Sequence, residues 1–226
     1  MAGVWAVLVA AGRGERLGDD RPKAFARLGE LPLLAEPLRR LDENDWVEAV
    51  VVVVPAEWEE PAILLAEQLG ASKVIAAVPG GETRSASVRA GLAEVPEDAA
   101  VVLVHDAARP ILPAELVPRL LEPLGEGFDG AVPVLPVSDT VKLARDGVVV
   151  ETLPREELVA VQTPQAFLAP VLRAAAAGEG SDCASLVEAA GGRIKCVPGD
   201  ERLLKVTTRA DLEQVERWLA AEPVRG

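Results

Sequence analysis

Five short apolar runs, at residues 5–9, 47–54, 73–77, 101–105 and 131–137, restrict the folds open to this chain more than any other feature. They are rich in β-branched residues and lack the polar alternation of a half-exposed strand, so each needs cover on both faces. Between them, residues 31–41, 57–69, 85–94 and 113–124 carry apolar side chains at helical intervals. Alternating strands and helices predict an α/β fold around a largely parallel sheet. Ligands of such sheets bind beyond the carboxyl ends of the strands. Three segments occupy such ends: the glycine-rich loop after the first run, residues 79–87 after the third and residues 105–110 after the fourth.

Residues 138–155 break this rhythm. Asp146 and Gly147 separate two alternating runs, VKLA and VVVET, which predicts a β-hairpin arm. A projecting two-stranded arm is marginal alone, so a second subunit is expected to pack on it, giving a homodimer. Beyond the arm, residues 164–177 and 181–190 read as helices, and residues 194–197 and 203–206 as short strands. Thr208 with Asp211 forms a predicted capping box for a last helix running to about Ala221. With 226 residues and no linker or repeat, a single domain is expected.

Half of the residues are hydrophobic, yet no apolar stretch approaches the roughly 20 residues needed to span a bilayer. The first run has no basic segment before it and no small-residue cleavage site after it, so it reads as a strand and the expected location is the cytoplasm. The net charge of −13 argues against nucleic acid as a partner, because such binding relies on a basic face. An acidic shell around a small cationic cleft still admits phosphate ligands. Cys183 and Cys196 fit neither a metal-ligand spacing nor a disulfide framework, so free thiols are expected.

The loop after the first run carries the most chemistry. Residues 4–18 read VWAVLVAAGRGERLG, with Lys23 close behind. Glycines let backbone N–H groups converge on an anion, and Arg13, Arg16 and Lys23 add full charges, a combination suited to a triphosphate. A Walker A loop is excluded because Asp19 and Asp20 follow Gly18. The dinucleotide fingerprint is excluded because Leu17 stands where it needs glycine. A plain glycine-rich turn with solvated arginines is the competing reading of this segment.

HDAARP, residues 105–110, places an acid and an arginine at a strand's end: Asp106 could bind a hard cation and Arg109 a second anion, or the two could form a salt-bridged turn. His105 is the only histidine, and a lone histidine beside a strand reads as structural. In GGETRSASV, residues 80–88, the paired Gly80 and Gly81 suggest close backbone approach, while Ser85 is placed like a helix N-cap and Ser87 could read a base or ribose. Lys205, inside LKVTT, is either a snorkelling edge residue or a ligand for buried phosphate.

Taken in order, AAGRGERLG with Lys23, GGETRSASV, HDAARP, SDTVK, QTPQ, SDCAS and LKVT closely resemble the 2-C-methyl-D-erythritol 4-phosphate cytidylyltransferase family, over nearly the whole chain. The resemblance implies a Rossmann-like sheet of the nucleotide-diphospho-sugar transferase (GT-A-like) type. It implies transfer of a cytidylyl group from CTP to methylerythritol phosphate, with Mg2+ or another divalent cation as cofactor. By the same resemblance, Ala10, Ala11, Gly12, Gly14, Lys23, Gly80, Gly81, Glu82, Ser87, Asp106, Ala107 and Lys205 are the expected CTP pocket, with Asp106 beside the metal. Asp106, Arg109, Thr140, Arg155 and Thr163 are expected around the alcohol phosphate, several reaching across a dimer. Arg16, Lys23, Arg155 and Lys205 are the expected catalytic cations. Three positions depart from the family pattern: Ala24 replaces a usual glutamine, Cys183 an acid and Leu203 a frequent asparagine. The fused cyclodiphosphate synthase domain of some relatives is not expected after the last helix. A pentitol phosphate cytidylyltransferase shares these loops and is the nearest alternative, followed by a non-catalytic nucleotide-binding protein.

Overall fold

The computed structural model describes residues 3–12, 21–178 and 180–222. Its strands are β1 (Val4–Val9), β2 (Arg27–Leu28), β3 (Leu31–Pro32), β4 (Ala49–Val54), β5 (Val74–Pro79), β6 (Val101–Asp106), β7 (Gly130–Pro136), β8 (Val141–Arg145), β9 (Val148–Leu153), β10 (Val159–Val161), β11 (Gln165–Leu168) and β12 (Ile194–Pro198). Its α-helices are α1 (Ala35–Asp42), α2 (Glu59–Leu69), α3 (Arg84–Ala93), α4 (Leu116–Gly125), α5 (Ala169–Ala175), α6 (Cys183–Ala189) and α7 (Arg209–Ala221). The central sheet runs β10-β7-β11-β6-β1-β4-β5, with β12 also paired to β7. Pairs β6-β1, β1-β4, β4-β5 and β12-β7 are parallel; β11 is antiparallel to β6 and β7, and β10 to β7.

Successive side chains on a strand face opposite sides of the sheet, and here both sides are covered. Ala6, Leu8, Val50, Val52 and Leu103 pack with Leu38 of α1, Ala62 of α2 and Leu120 of α4. Their neighbours Val7, Val51, Val53, Val102 and Val104 pack with Val88 of α3, Leu172 of α5 and Val187 of α6. Two helical layers explain why these strands are apolar without alternation, as the sequence suggests.

Several sequence expectations are corrected. The first expected helix starts late: Leu31–Pro32 is β3, because Leu33 and Leu34 donate their N–H groups to the carbonyls of Ala26 and Ala24, and α1 begins only at Ala35. The expected helix over 164–177 splits: Gln165–Leu168 fills the gap between β6 and β7 as β11, and α5 starts at Ala169 with a proline in its first turn. Val159–Val161, unassigned from sequence, pairs with β7 as β10. The expected strand over 203–206 is not formed; Glu201–Leu203 is a 3-10 helix capped by Asp200, and the Val206 N–H donates to the Ala108 carbonyl. The N-cap of α3 is Thr83, whose hydroxyl accepts the Ala86 N–H at 3.0 Å, so Ser85 is not the cap.

The arm is present as β8 and β9, a two-stranded sheet of its own. Asp146 (φ 49°) and Gly147 (φ 78°) are both left-handed, the backbone that a tight hairpin turn demands and that favours Asp-Gly. Among the described residues, no helix is long and apolar enough to cross a membrane.

Candidate active site

A cleft of about 630 Å3 opens where β1, β5 and β6 end, within the size range of ligand pockets. It is lined by Val9 to Gly12 after β1, by Lys23 and Ala24, by Gly81 to Arg84 with Ser87, by Asp106 to Ala108, and by Lys205. The three chemistry-bearing segments thus converge, joined by a lysine from the stretch before α7. Gly80 lies behind this lining, where a Cβ would collide with the Ala11 side chain and meet the Ser87 hydroxyl at 2.8 Å. Only glycine lets the loops after β1 and β5 pack this closely.

Asp106 is the electrostatic centre of the cleft. Its Oδ1 accepts from Arg84 Nε at 3.1 Å and Nη2 at 3.0 Å, and its Oδ2 accepts from Lys205 Nζ at 2.7 Å. Burial alone would raise its carboxyl pKa, but the Arg84 and Lys205 charges outweigh burial and hold it well below the usual carboxylate range. The Asp106 backbone N–H donates to Thr163 Oγ1 at 3.0 Å. Thr163 Oγ1 also lies 3.1 Å from His105 Nδ1, and His105 Nε2 lies 3.0 Å from the Arg109 carbonyl. These contacts are met together by a neutral imidazole that donates from Nε2 and accepts at Nδ1. Burial drives the His105 pKa down to about 4, so His105 is a strut behind Asp106.

The structure brings together Ala10, Ala11, Gly12, Lys23, Gly81, Glu82, Ser87, Asp106, Ala107 and Lys205. Gly14, Arg13 and Arg16 lie outside the described residues. Thr163 is buried beside Asp106. Arg109 donates to the carbonyls of Leu203 and Val161, next to the cleft and outside its lining. Arg155 donates to the Ser138 carbonyl at 2.8 Å and pairs with Glu156 at the foot of the arm. Thr140 is exposed at the same foot, and neither residue lines this protomer's cleft.

Of the departures, Ala24 lines the cleft, whereas Leu203 is wholly buried and offers Arg109 only its carbonyl. Cys183 is buried with its Sγ 3.6 Å from Arg84 Nη1. Arg84 itself is absent from the sequence expectations. Its position was a usable signal: a cation in the first turn of a helix opposes the helix dipole, so it needs an acid in front of it.

A model of the 2-C-methyl-D-erythritol 4-phosphate cytidylyltransferase family matches residues 4–221. The chain belongs to that family. It is 46% identical over 219 residues to the 2-C-methyl-D-erythritol 4-phosphate cytidylyltransferase of Nocardia farcinica, covering 96% of this chain and 94% of the relative. It is likewise 46% identical to the enzyme of that name from Rhodococcus jostii, covering 92% of each. The crystal structure of the cytidylyltransferase from Thermus thermophilus superposes with a TM-score of 0.77 at 34% identity, covering 95% of this chain and 98% of that one. The mixed α/β fold around a mainly parallel sheet is therefore that of this cytidylyltransferase family, as the motif order implies.

Proposed function

We propose that this chain transfers a cytidylyl group from CTP to 2-C-methyl-D-erythritol 4-phosphate, giving the CDP-alcohol and pyrophosphate in isoprenoid precursor synthesis. The observation that carries the proposal is the convergence of Lys23, Arg84 and Lys205 on a glycine-lined cleft in a member of this family. A phosphate monoester oxygen attacks the α-phosphorus of CTP, the new O–P bond forms, and the bond to the β-phosphate oxygen breaks. The nucleophile is already a dianion, so no general base is needed, and a site with one buried histidine is sufficient. The chemistry requires alignment and charge compensation, because a dianion must meet a tetra-anionic nucleotide. Lys23, Lys205 and Arg16 would supply that charge on the nucleotide side.

Among the described residues no group of three or more His, Cys, Asp or Glu side chains could hold a metal by itself. Magnesium suits such a donor set when one carboxylate is completed by substrate phosphates and waters. Asp106 has the chemistry to be that carboxylate: its described contacts use three of about four lone-pair positions, leaving one on Oδ2. A bound Mg2+ would neutralise phosphate charge as pyrophosphate departs.

The alcohol phosphate would be met by Arg109, Thr140 and Arg155, with Thr163 acting through Asp106, because its hydroxyl accepts the Asp106 N–H and donates to His105 Nδ1. Arg155 and Thr140 sit on an arm away from the cleft of their own protomer, which favours a homodimer whose arm serves the neighbouring site. Exposed Val148, Val149 and Val150 on β9 support packing by such a partner. Pyrophosphate release measured with CTP, Mg2+ and a small panel of phosphorylated polyols tests the proposal. Turnover with methylerythritol phosphate above that with ribitol phosphate is the expected result. The reverse order would make the chain a pentitol phosphate cytidylyltransferase, and no release with any alcohol would make it a binding protein.

A further inference from the structure

Arg84 is the first residue of α3, and its guanidinium lies between two groups that belong to different parts of the chain. On one side Nε and Nη2 both donate to a single oxygen, Asp106 Oδ1, which leaves Oδ2 turned to Lys205. On the other side Nη1 faces the Sγ of Cys183. Cys183 opens α6, whose N-cap Asp182 accepts from Ser185 N–H at 2.9 Å and from Gln165 Nε2 of β11 at 2.7 Å. Ser85 Oγ, one residue beyond Arg84, meets the Gly180 backbone at 3.4 Å. These bonds tie the start of α6 to β11 and α3 next to Cys183, whose Sγ lies 3.6 Å from Arg84 Nη1.

We propose that Arg84 is a positioning residue for nucleotidyl transfer: its fork orients the Asp106 carboxylate toward Lys205, and the neutral Cys183 thiol braces the fork without competing for its charge. Geometry carries this assignment. The flat guanidinium can place two donors on one oxygen and a third on a soft acceptor at its far side, which an ammonium cannot do in one pose. Burial also raises the Cys183 thiol pKa, which keeps it uncharged. A carboxylate at position 183 would stand at the same guanidinium as Asp106, share its positive charge and repel Asp106. The side chain at 183 thus sets how strongly Arg84 grips the site while itself being about 1% exposed and out of reach of substrate.

The inference rests on the CTP reading, and a double-mutant cycle separates the two. Wild-type pyrophosphate release reports on the function. The cycle uses Arg84→Gln, Cys183→Asp and the double variant, read as kcat/KM for CTP and, independently of turnover, as CTP affinity by calorimetry. Arg84→Gln is expected to lower kcat/KM for CTP about thirtyfold while KM for the alcohol phosphate stays within about threefold. Arg84→Lys should not rescue it. Cys183→Asp should lower kcat/KM for CTP about tenfold in the wild-type background and less than twofold in the Arg84→Gln background, the non-additivity expected of residues acting as one unit. The neutral variants Cys183→Ser and Cys183→Asn should stay within about threefold of wild type. Equal losses from Cys183→Asp in both backgrounds, or Arg84→Gln with wild-type kcat/KM and CTP affinity, would overturn the proposal. If Cys183→Asp fails to fold, rescue by Arg84→Lys or a tenfold loss in Cys183→Ser overturns it equally.

Discussion

At the scale of single residues, the buried chemistry behind the cleft is ordered around proton positions. His105 is the only histidine of the chain, and the fold holds it neutral with a pKa pulled down by burial to about 4. An unfolded chain would protonate it near pH 6.5, so as pH falls below that value the unfolded state gains a proton that the folded state refuses. Stability is therefore expected to fall between about pH 6.5 and pH 4 and to be insensitive to this group below pH 4. Between pH 7 and pH 5 the loss should be roughly 2 kcal/mol, from a full proton difference at 1.36 kcal/mol per pH unit. Urea denaturation at the two pH values measures it, and unchanged stability would mean that His105 is charged or solvated. The role of His105 was legible in its isolation beside a strand. The Thr163 hydroxyl joining it to the Asp106 N–H was not, because residues 58 apart in sequence share no local pattern.

At the scale of elements, strands β1, β4, β5 and β6 were readable because burial on both faces leaves a continuous apolar run. β3, β10 and β11 escaped the same reading. Each is two to four residues long, and each is a strand only because a partner's backbone lies beside it, so the pairing overrides any local preference. The loop holding Lys205 was misread as a strand for the converse reason: its apolar residues Leu203 and Val206 are wholly buried without a ladder to join. Capping, by contrast, is local chemistry. Thr208 and Asp211 form the expected capping box, and Asp211 also accepts from the Thr207 N–H and hydroxyl at 2.8 Å. Although desolvation opposes it, these bonds to Thr207 and Thr208 lower the Asp211 pKa to about 2. Its contribution is therefore present above the ordinary carboxyl range near pH 4 and is lost as pH falls through about 2. Asp211→Asn should lower stability by about 1 kcal/mol at pH 7, and the difference from wild type should shrink toward zero near pH 2. A constant difference across that window would place the effect elsewhere than the carboxylate.

At the scale of the whole molecule, the arm is the part that a single protomer does not explain. Among the described residues β8 and β9 pair with each other and with no other strand, and Val148, Val149 and Val150 are between 55% and 67% exposed, whereas the valines of β4 are wholly buried. Light scattering at micromolar concentration is expected to give about twice the 23.7 kDa of one chain. Val149→Asp should shift the population to monomer and depress turnover more than CTP affinity, because in the proposed dimer Arg155 and Thr140 come from the partner's arm. A wild-type monomer, or a monomeric variant with full turnover, would remove the arm from the reaction.

In the proposed reaction, cations gathered at the ends of β1, β5 and β6 lower the barrier to attack of the phosphate monoester on the α-phosphorus of CTP. Initial rates of pyrophosphate release from CTP and methylerythritol phosphate, compared between wild type and Lys23→Ala, test it most directly. Loss of one fixed charge at the reacting phosphates should lower kcat about a hundredfold or more. Near-normal kcat in Lys23→Ala would contradict it.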